Sequence, residues 1–219
     1  DGVAARGLER CRCLLTGYIG GPELGEVVLH ALDAVRAANP QALYACDPVM
    51  GNEDGFFVKP GVPEYLRDHI VPRADILFPN HMELEFLVGR PVRGLEEAHA
   101  AALEVRAMGP ETVVVTSLEA RDDYPDTIPV LAVDGKGAWQ ASVPRLNVPV
   151  DGAGDLMAAV FTGATLRGED LPGALAHALA STHGVLRHTA EMGVAEMALV
   201  AAREEIATPS RAVAVTRLA

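Results

Sequence analysis

Apolar and polar positions follow two rhythms along this chain. Short, strongly apolar runs recur, and most are followed by a stretch whose apolar positions fall three or four apart. Cys11 to Leu15, Ala42 to Cys46, Ala74 to Phe78 and Thr112 to Thr116 read as strands, the last being strongly β-branched. Glu23 to Ala38 reads as an amphipathic helix with Leu24, Val27, Val28, Ala31, Leu32 and Val35 on one face. Glu64 to Ile70 predicts a short helix, and Leu95 to Met108 a longer one stopped by Gly109-Pro110. Between Asp47 and Gly61, the residues Gly51, Gly55, Pro60 and Gly61 read as a long loop. Ile128 to Val133 and Ala138 to Val143 form a hairpin pattern around Asp134-Gly135-Lys136-Gly137. From Gly154 the chain reads as mostly helical to Ile206, broken near Gly168 and Gly193, and Val213 to Val215 predicts a closing edge strand. Strands alternating with helices imply an α/β fold with a mainly parallel sheet flanked by helices. No repeat or linker divides the chain, so residues 1–219 read as a single domain.

Composition narrows the partners. With 49% hydrophobic residues, the chain can bury a sizeable core. A formal net charge of −12 argues against a nucleic-acid or anionic-membrane surface. It leaves ATP open, because a cation and a local anion hole bind phosphate on an acidic protein. The longest apolar helical run, Leu156 to Leu166, is too short to span a membrane. Cys11, Cys13 and Cys46 have no disulfide or zinc spacing; the first two are expected to point together into the core. Free thiols suit a reducing, cytoplasmic setting. His177, His183 and His188 are not spaced as a metal pair and read as core or surface residues. Neither a P-loop nor a full dinucleotide fingerprint is present.

Three motifs carry candidate chemistry. Val150-Asp151-Gly152-Ala153-Gly154-Asp155 leads straight into an apolar helix. Backbone N–H groups at Gly152, Ala153 and Gly154 would face an anion at that helix start, with Asp155 in the first turn beside it. The same residues also suit an ordinary tight turn with an acid near the helix dipole. Asp47 follows a predicted strand and precedes Pro48, where it can face a ligand beyond the sheet edge or close an Asx turn. In Pro79-Asn80-His81-Met82-Glu83, Asn80 and Glu83 have capping-box spacing. Yet Asp47 and Glu83 both follow strands and can converge, as two acids suited to a Mg²⁺ held largely through water and phosphate. Tyr18, in Thr16-Gly17-Tyr18, either stacks on a flat ring or packs the strand end.

In this order and spacing, Asp47-Pro48-Val49-Met50-Gly51, Pro79-Asn80-x-x-Glu83-x-Glu85 and Gly152-x-Gly154-Asp155 resemble the ribokinase superfamily, and its vitamin-kinase branch in particular. Thr16-Gly17-Tyr18-Ile19-Gly20, Val113 to Ser117 and the ending Ala214 to Leu218 resemble the pyridoxal kinases. The resemblance implies a ribokinase-like three-layer α/β/α fold, N-terminally incomplete because family members carry a further opening region. It implies ATP-dependent phosphorylation of the 5′-hydroxymethyl group of pyridoxal and related B6 vitamers. Asp155 would be the catalytic base that meets the vitamin's hydroxyl, and Gly152, Ala153 and Gly154 the anion hole. Asp47 and Glu83 would serve Mg²⁺ and the ATP phosphates; Thr116 and Ser117 would lie near the nucleotide, and Asn147 and Val148 in a loop flanking adenine. Ala153 stands where many members have Thr, which keeps the backbone N–H and loses only a hydroxyl. The family further implies a homodimer and leaves K⁺ dependence open. Two rivals remain at this stage. A hydroxymethylpyrimidine kinase of thiamin synthesis shares two of the motifs but usually has Cys at the position of Asp155. A non-catalytic nucleotide- or vitamin-binding fragment would keep the fold without turnover.

Overall fold

A computed structural model describes residues 7, 11–52, 54–118 and 124–218. The strands are β1 (Cys13–Thr16), β2 (Leu43–Cys46), β3 (Gly51–Asn52), β4 (Gly55–Phe56), β5 (Ile76–Leu77), β6 (Thr112–Val115), β7 (Thr127–Asp134), β8 (Gly137–Pro144) and β9 (Val215–Arg217). The helices are α1 (Pro22–Ala38), α2 (Val62–Tyr65), α3 (His81–Val88), α4 (Gly94–Arg106), α5 (Ala153–Leu166), α6 (Leu171–Met192) and α7 (Arg203–Ala207). A π turn at Leu66–Ile70 and a 3-10 turn at Val71–Arg73 extend α2.

A seven-stranded sheet runs in the order β1-β2-β5-β6-β7-β8-β9. Strands β1, β2, β5 and β6 pair in parallel, and β6 to β9 pair antiparallel. The side-chain alternation of each strand feeds two cores. Val113, Val115, Leu131 and Val133 join α1, α3 and α4 on one face, around Leu32, Leu84, Leu87 and Val105. Val114, Val130 and Ala132 join α5 and α6 on the other, around Phe161, Ala164, Leu175 and Ala178. Period-two strands between period-3.6 helices thus produce three layers.

Several expectations shift. The predicted loop after Asp47 contains the small antiparallel hairpin β3–β4. It is held by the edge-to-face packing of Phe56 on Phe86, with ring centres 5.4 Å apart. The closing edge strand lies two residues later than expected, at β9. The apolar stripe of α1 is wider than the surface available to it. Gly25, Leu32 and Val35 are buried, while Leu24 and Val27 remain 45% and 62% exposed. Cys11 and Cys13 are half-buried rather than core residues; among the described residues β1 pairs with β2 alone and so stands at the sheet edge.

Candidate active site

The parallel strands deliver their following residues to one edge of the sheet. Gly17 follows β1, Asp47 follows β2, Asn80 lies just beyond β5, and Thr116 follows β6. Backbone bonds fix these exits: Asp47 N–H donates to the Thr16 carbonyl at 2.8 Å, and Thr116 N–H to the Pro79 carbonyl at 3.0 Å. Ligands in open α/β sheets bind beyond such strand ends. Here Asp47, Asn80, Glu83, Thr116, Ser117, Gly152, Gly154 and Asp155 line one cavity of about 300 Å³.

The start of α5 forms one wall. Gly152 precedes it with φ of 90°, a left-handed conformation that disfavours any residue with a side chain. Helices α3 and α6 have side-chain caps, from Asn80 and Asp170, whereas α5 has none. Its first N–H groups therefore present a positive dipole end to the cavity. A Cβ on Gly154 would lie 3.3 Å from Asp47 Oδ2, so the absence of a side chain lets β2 and α5 close on each other.

Glu83 is buried and bound twice. Its Oε2 accepts the Asn80 N–H at 2.8 Å, completing the capping box, and its Oε1 accepts the Met50 N–H at 2.8 Å. The capping reading of this residue is met, since it starts α3, and the same side chain lines the cavity. Asn80 adds a bond from its side-chain amide to the Gly51 carbonyl at 2.8 Å. Burial pushes the Glu83 carboxyl up to about 8 against the pull of these amides. Burial, then the neighbouring charge of Asp155, pushes Asp47 up to about 7. Two buried acids thus stand beside a third on one cavity, and their oxygens are the kind of donors a hard divalent ion takes together with water.

A second cavity, of about 220 Å³, adjoins the first and shares Thr116, Ser117 and Gly154 with it. Its walls are mainly apolar: Ile128, Val130, Val143, Leu146, Met157, Leu179 and Leu186. Not every expected site residue lies on a cavity wall. Leu146 lines this slot, while Asn147 and Val148 lie outside the lining of both cavities. Tyr18 is 59% exposed and also outside that lining, although a Cβ on its neighbour Gly17 would stand 3.0 Å from Asp155 Oδ1. His183 and Thr182, which the sequence reading left out of the site, lie on the slot wall. Among the described residues, no group of three or more His, Cys, Asp or Glu forms a complete metal cage.

A family model described as phosphomethylpyrimidine kinase matches residues 9–199. The pyridoxal kinase PdxY of Rubrobacter xylanophilus is 47% identical over 221 residues, spanning 100% of this chain and 76% of that protein. The chain belongs to the pyridoxal kinase family. Its similarity to PdxY of Granulibacter bethesdensis, 43% identical over 95% of this chain and 75% of the relative, agrees with that membership. The solved pyridoxal kinase of Leishmania donovani in complex with ADP and pyridoxine superposes with a TM-score of 0.90 at 26% identity. That match covers 100% of this chain and 78% of the other, and carries the ribokinase-like architecture expected from the motifs. Among the described residues, no helix is long and apolar enough to cross a membrane.

Proposed function

We propose that this chain transfers the γ-phosphoryl group of ATP to the 5′-hydroxymethyl group of pyridoxal, a step of vitamin B6 salvage. The observation that carries the reading is Asp155 in the first turn of an uncapped helix, on the cavity that also holds Asp47 and Glu83. Relatives named pyridoxal kinase match over nearly the whole chain, which supplies the substrate class.

The roles follow from placement. The N–H groups at Gly152, Ala153 and Gly154 meet the negative charge of the transferring phosphoryl group. Asp155 accepts a hydrogen bond from the vitamin's hydroxyl and aims it at phosphorus, which is the main demand of a loose phosphoryl-transfer transition state. Asp47 and Glu83 would hold Mg²⁺, Glu83 through water because both its oxygens already accept backbone N–H groups. When bound, that ion supplies positive charge at the phosphate oxygens. The adjoining apolar slot receives the nucleotide base, and Thr116 and Ser117 lie between base and phosphates. The homodimer expected of the family belongs to the same reading, and sedimentation velocity tests it.

Phosphorus NMR with Mg·ATP tests the reading, with pyridoxal and hydroxymethylpyrimidine offered separately. A phosphomonoester is expected with pyridoxal, formed at least ~100-fold more slowly by Asp155→Asn. A product from hydroxymethylpyrimidine alone would transfer the assignment to thiamin synthesis. An undiminished rate in the variant would remove Asp155 from the mechanism.

A further inference from the structure

The far end of the β7–β8 hairpin holds a cluster of another kind. Thr127 faces Pro144 where these strands reach the apolar slot, and Asp134 faces Gly137 at the opposite end. The ends of an eight-residue strand stand about 23 Å apart. At the far end a cavity of about 620 Å³ opens between α4, the hairpin turn and β9. Its charged lining is Arg106, Asp134, Lys136 and Arg217, with His99 beside them. Three cations against one carboxylate is an unusual balance on a chain of net charge −12. That carboxylate is also engaged, since Asp134 Oδ1 accepts the N–H groups of Lys136 and Gly137 at 2.7 and 3.1 Å. Elsewhere Arg36, Arg73, Arg90 and Arg187 each hold a carboxylate. Among the described residues, no carboxylate pairs with Arg106, Lys136 or Arg217.

The two guanidinium groups are held in place without being used up. Arg106 Nε donates to the Glu111 carbonyl at 2.8 Å, and Arg217 Nη2 to the Lys136 carbonyl at 2.7 Å. Arg217 also lies over the Trp139 ring, 5.7 Å from its centre. Each keeps the remaining donors of a rigid fork. The turn is shaped to admit them. Gly135 does not adopt the left-handed backbone that calls for glycine, yet a Cβ there would stand 3.2 Å from Arg106 Nη2. A Cβ on Gly137 would stand 3.1 Å from Nε and Nη2 of Arg217. Bare backbone at both positions lets both forks close on the turn that carries Lys136.

Fixed guanidinium forks suit the oxygens of a phosphate group. Leu103, Val133, Ala138 and Leu218 complete the wall and offer apolar surface to whatever carries that phosphate. We propose that this cavity binds a phosphate monoester, with Arg106, Lys136 and Arg217 on the phosphate and the apolar wall against its organic body. The site stands apart from Asp47, Glu83 and Asp155 and does not depend on the kinase reading. Two sources supply such an ester: the pyridoxal 5′-phosphate that the kinase reading makes the product, and other phosphorylated metabolites.

Trp139 is the single tryptophan of the chain, so its indole N–H gives one proton NMR signal, and that signal lies beside this cavity. Phenyl phosphate, pyridoxal 5′-phosphate and inorganic phosphate are titrated against the protein, with chloride at matched ionic strength as control. Both esters are expected to shift the signal saturably, and inorganic phosphate to bind more weakly. Arg106→Gln should raise the apparent Kd of the esters at least about tenfold, as for the loss of a charged hydrogen bond. Lys136→Gln, on the exposed turn, should weaken them as well and gives the reading if Arg106→Gln does not fold. Pyridoxal 5′-phosphate binding tighter than phenyl phosphate would identify the product as the occupant, and binding no tighter would assign the site to other phosphate esters. The proposal is overturned if neither ester gives a saturable shift, if chloride reproduces it, or if inorganic phosphate binds as tightly. Undiminished affinity in the folded variants would overturn it too.

Discussion

At the scale of single residues, the site depends as much on missing side chains as on present ones. Gly17 faces the carboxylate of Asp155, and a methyl group there would stand 3.0 Å from Oδ1. Gly17→Ala is therefore expected to lower kcat by about tenfold or more while leaving the KM for ATP in place, because a small misalignment of a reacting group is costly. Steady-state kinetics with ATP varied would check this, and an unchanged kcat would show that the Asp155 carboxylate has room to spare. The acids of the site were legible in sequence for a simple reason. Asp47, Glu83 and Asp155 each sit just beyond a strand or glycine turn, where local pattern and site coincide. Thr182 and His183 were not legible. Helical spacing places them on an inward face, but the slot they line is completed by residues of β7 and β8, distant in sequence. Asn147 and Val148 lie outside the lining of both cavities, and the residue of their loop that lines the slot is Leu146.

At the scale of elements, α3 ties secondary structure to the site. Asn80 accepts the Glu83 N–H at 2.9 Å and donates to the Gly51 carbonyl at 2.8 Å, so the helix cap also anchors β3. Asn80→Ala should cost about 0.5–2 kcal/mol in denaturant unfolding, the usual range for a lost cap. Asn80→Asp should keep the cap but lose the bond to Gly51 and add charge beside Glu83. It should recover part of the helix stability without recovering the stability of the hairpin, as read by amide exchange at Gly51 to Phe56. Full recovery of both would mean the side-chain amide does nothing for the hairpin. The cap was readable in Asn80-x-x-Glu83, but the hairpin was not. Its strands are two residues each, too short for alternation to register, and Gly51 is required there by crowding from the Gly55 carbonyl and Met82. In α1 the helical period was readable and the burial was not, because periodicity shows which residues share a face and not how much surface that face meets.

At the scale of the whole molecule, the site sets a pH dependence of stability. Asp47 rises from 3.8 to about 7 on folding and Glu83 from 4.5 to about 8. The folded chain therefore holds protons at these groups that the unfolded chain has released. Their contribution is full below the unfolded values and is lost as pH rises through the folded ones. Without metal or nucleotide, the denaturation midpoint should fall between about pH 5 and about pH 8, and Asp47→Asn should flatten that slope. A slope identical in the variant would show that the carboxylate does not titrate in this window. The mixed sheet was partly legible at this scale as well. Strand–helix alternation marked its parallel half, and the Asp134-Gly135-Lys136-Gly137 turn marked the β7–β8 hairpin, whereas the reversal itself, at β6–β7, carried no such mark. The seven strands of the sheet lie in chain order, and what the sequence did not show is that β3 and β4 stand apart as their own hairpin.

The two halves of that sheet wall different cavities. The parallel half ends in the acids and the polar cavity, while β7 and β8 wall the apolar slot with Ile128, Val130 and Val143. Strand β6, whose exit residues Thr116 and Ser117 touch both cavities, is the seam between them. On the proposed function, nucleotide recognition and phosphoryl transfer are thereby separable: changes in the antiparallel half would retune which energy carrier is accepted and leave the acids across the seam in place.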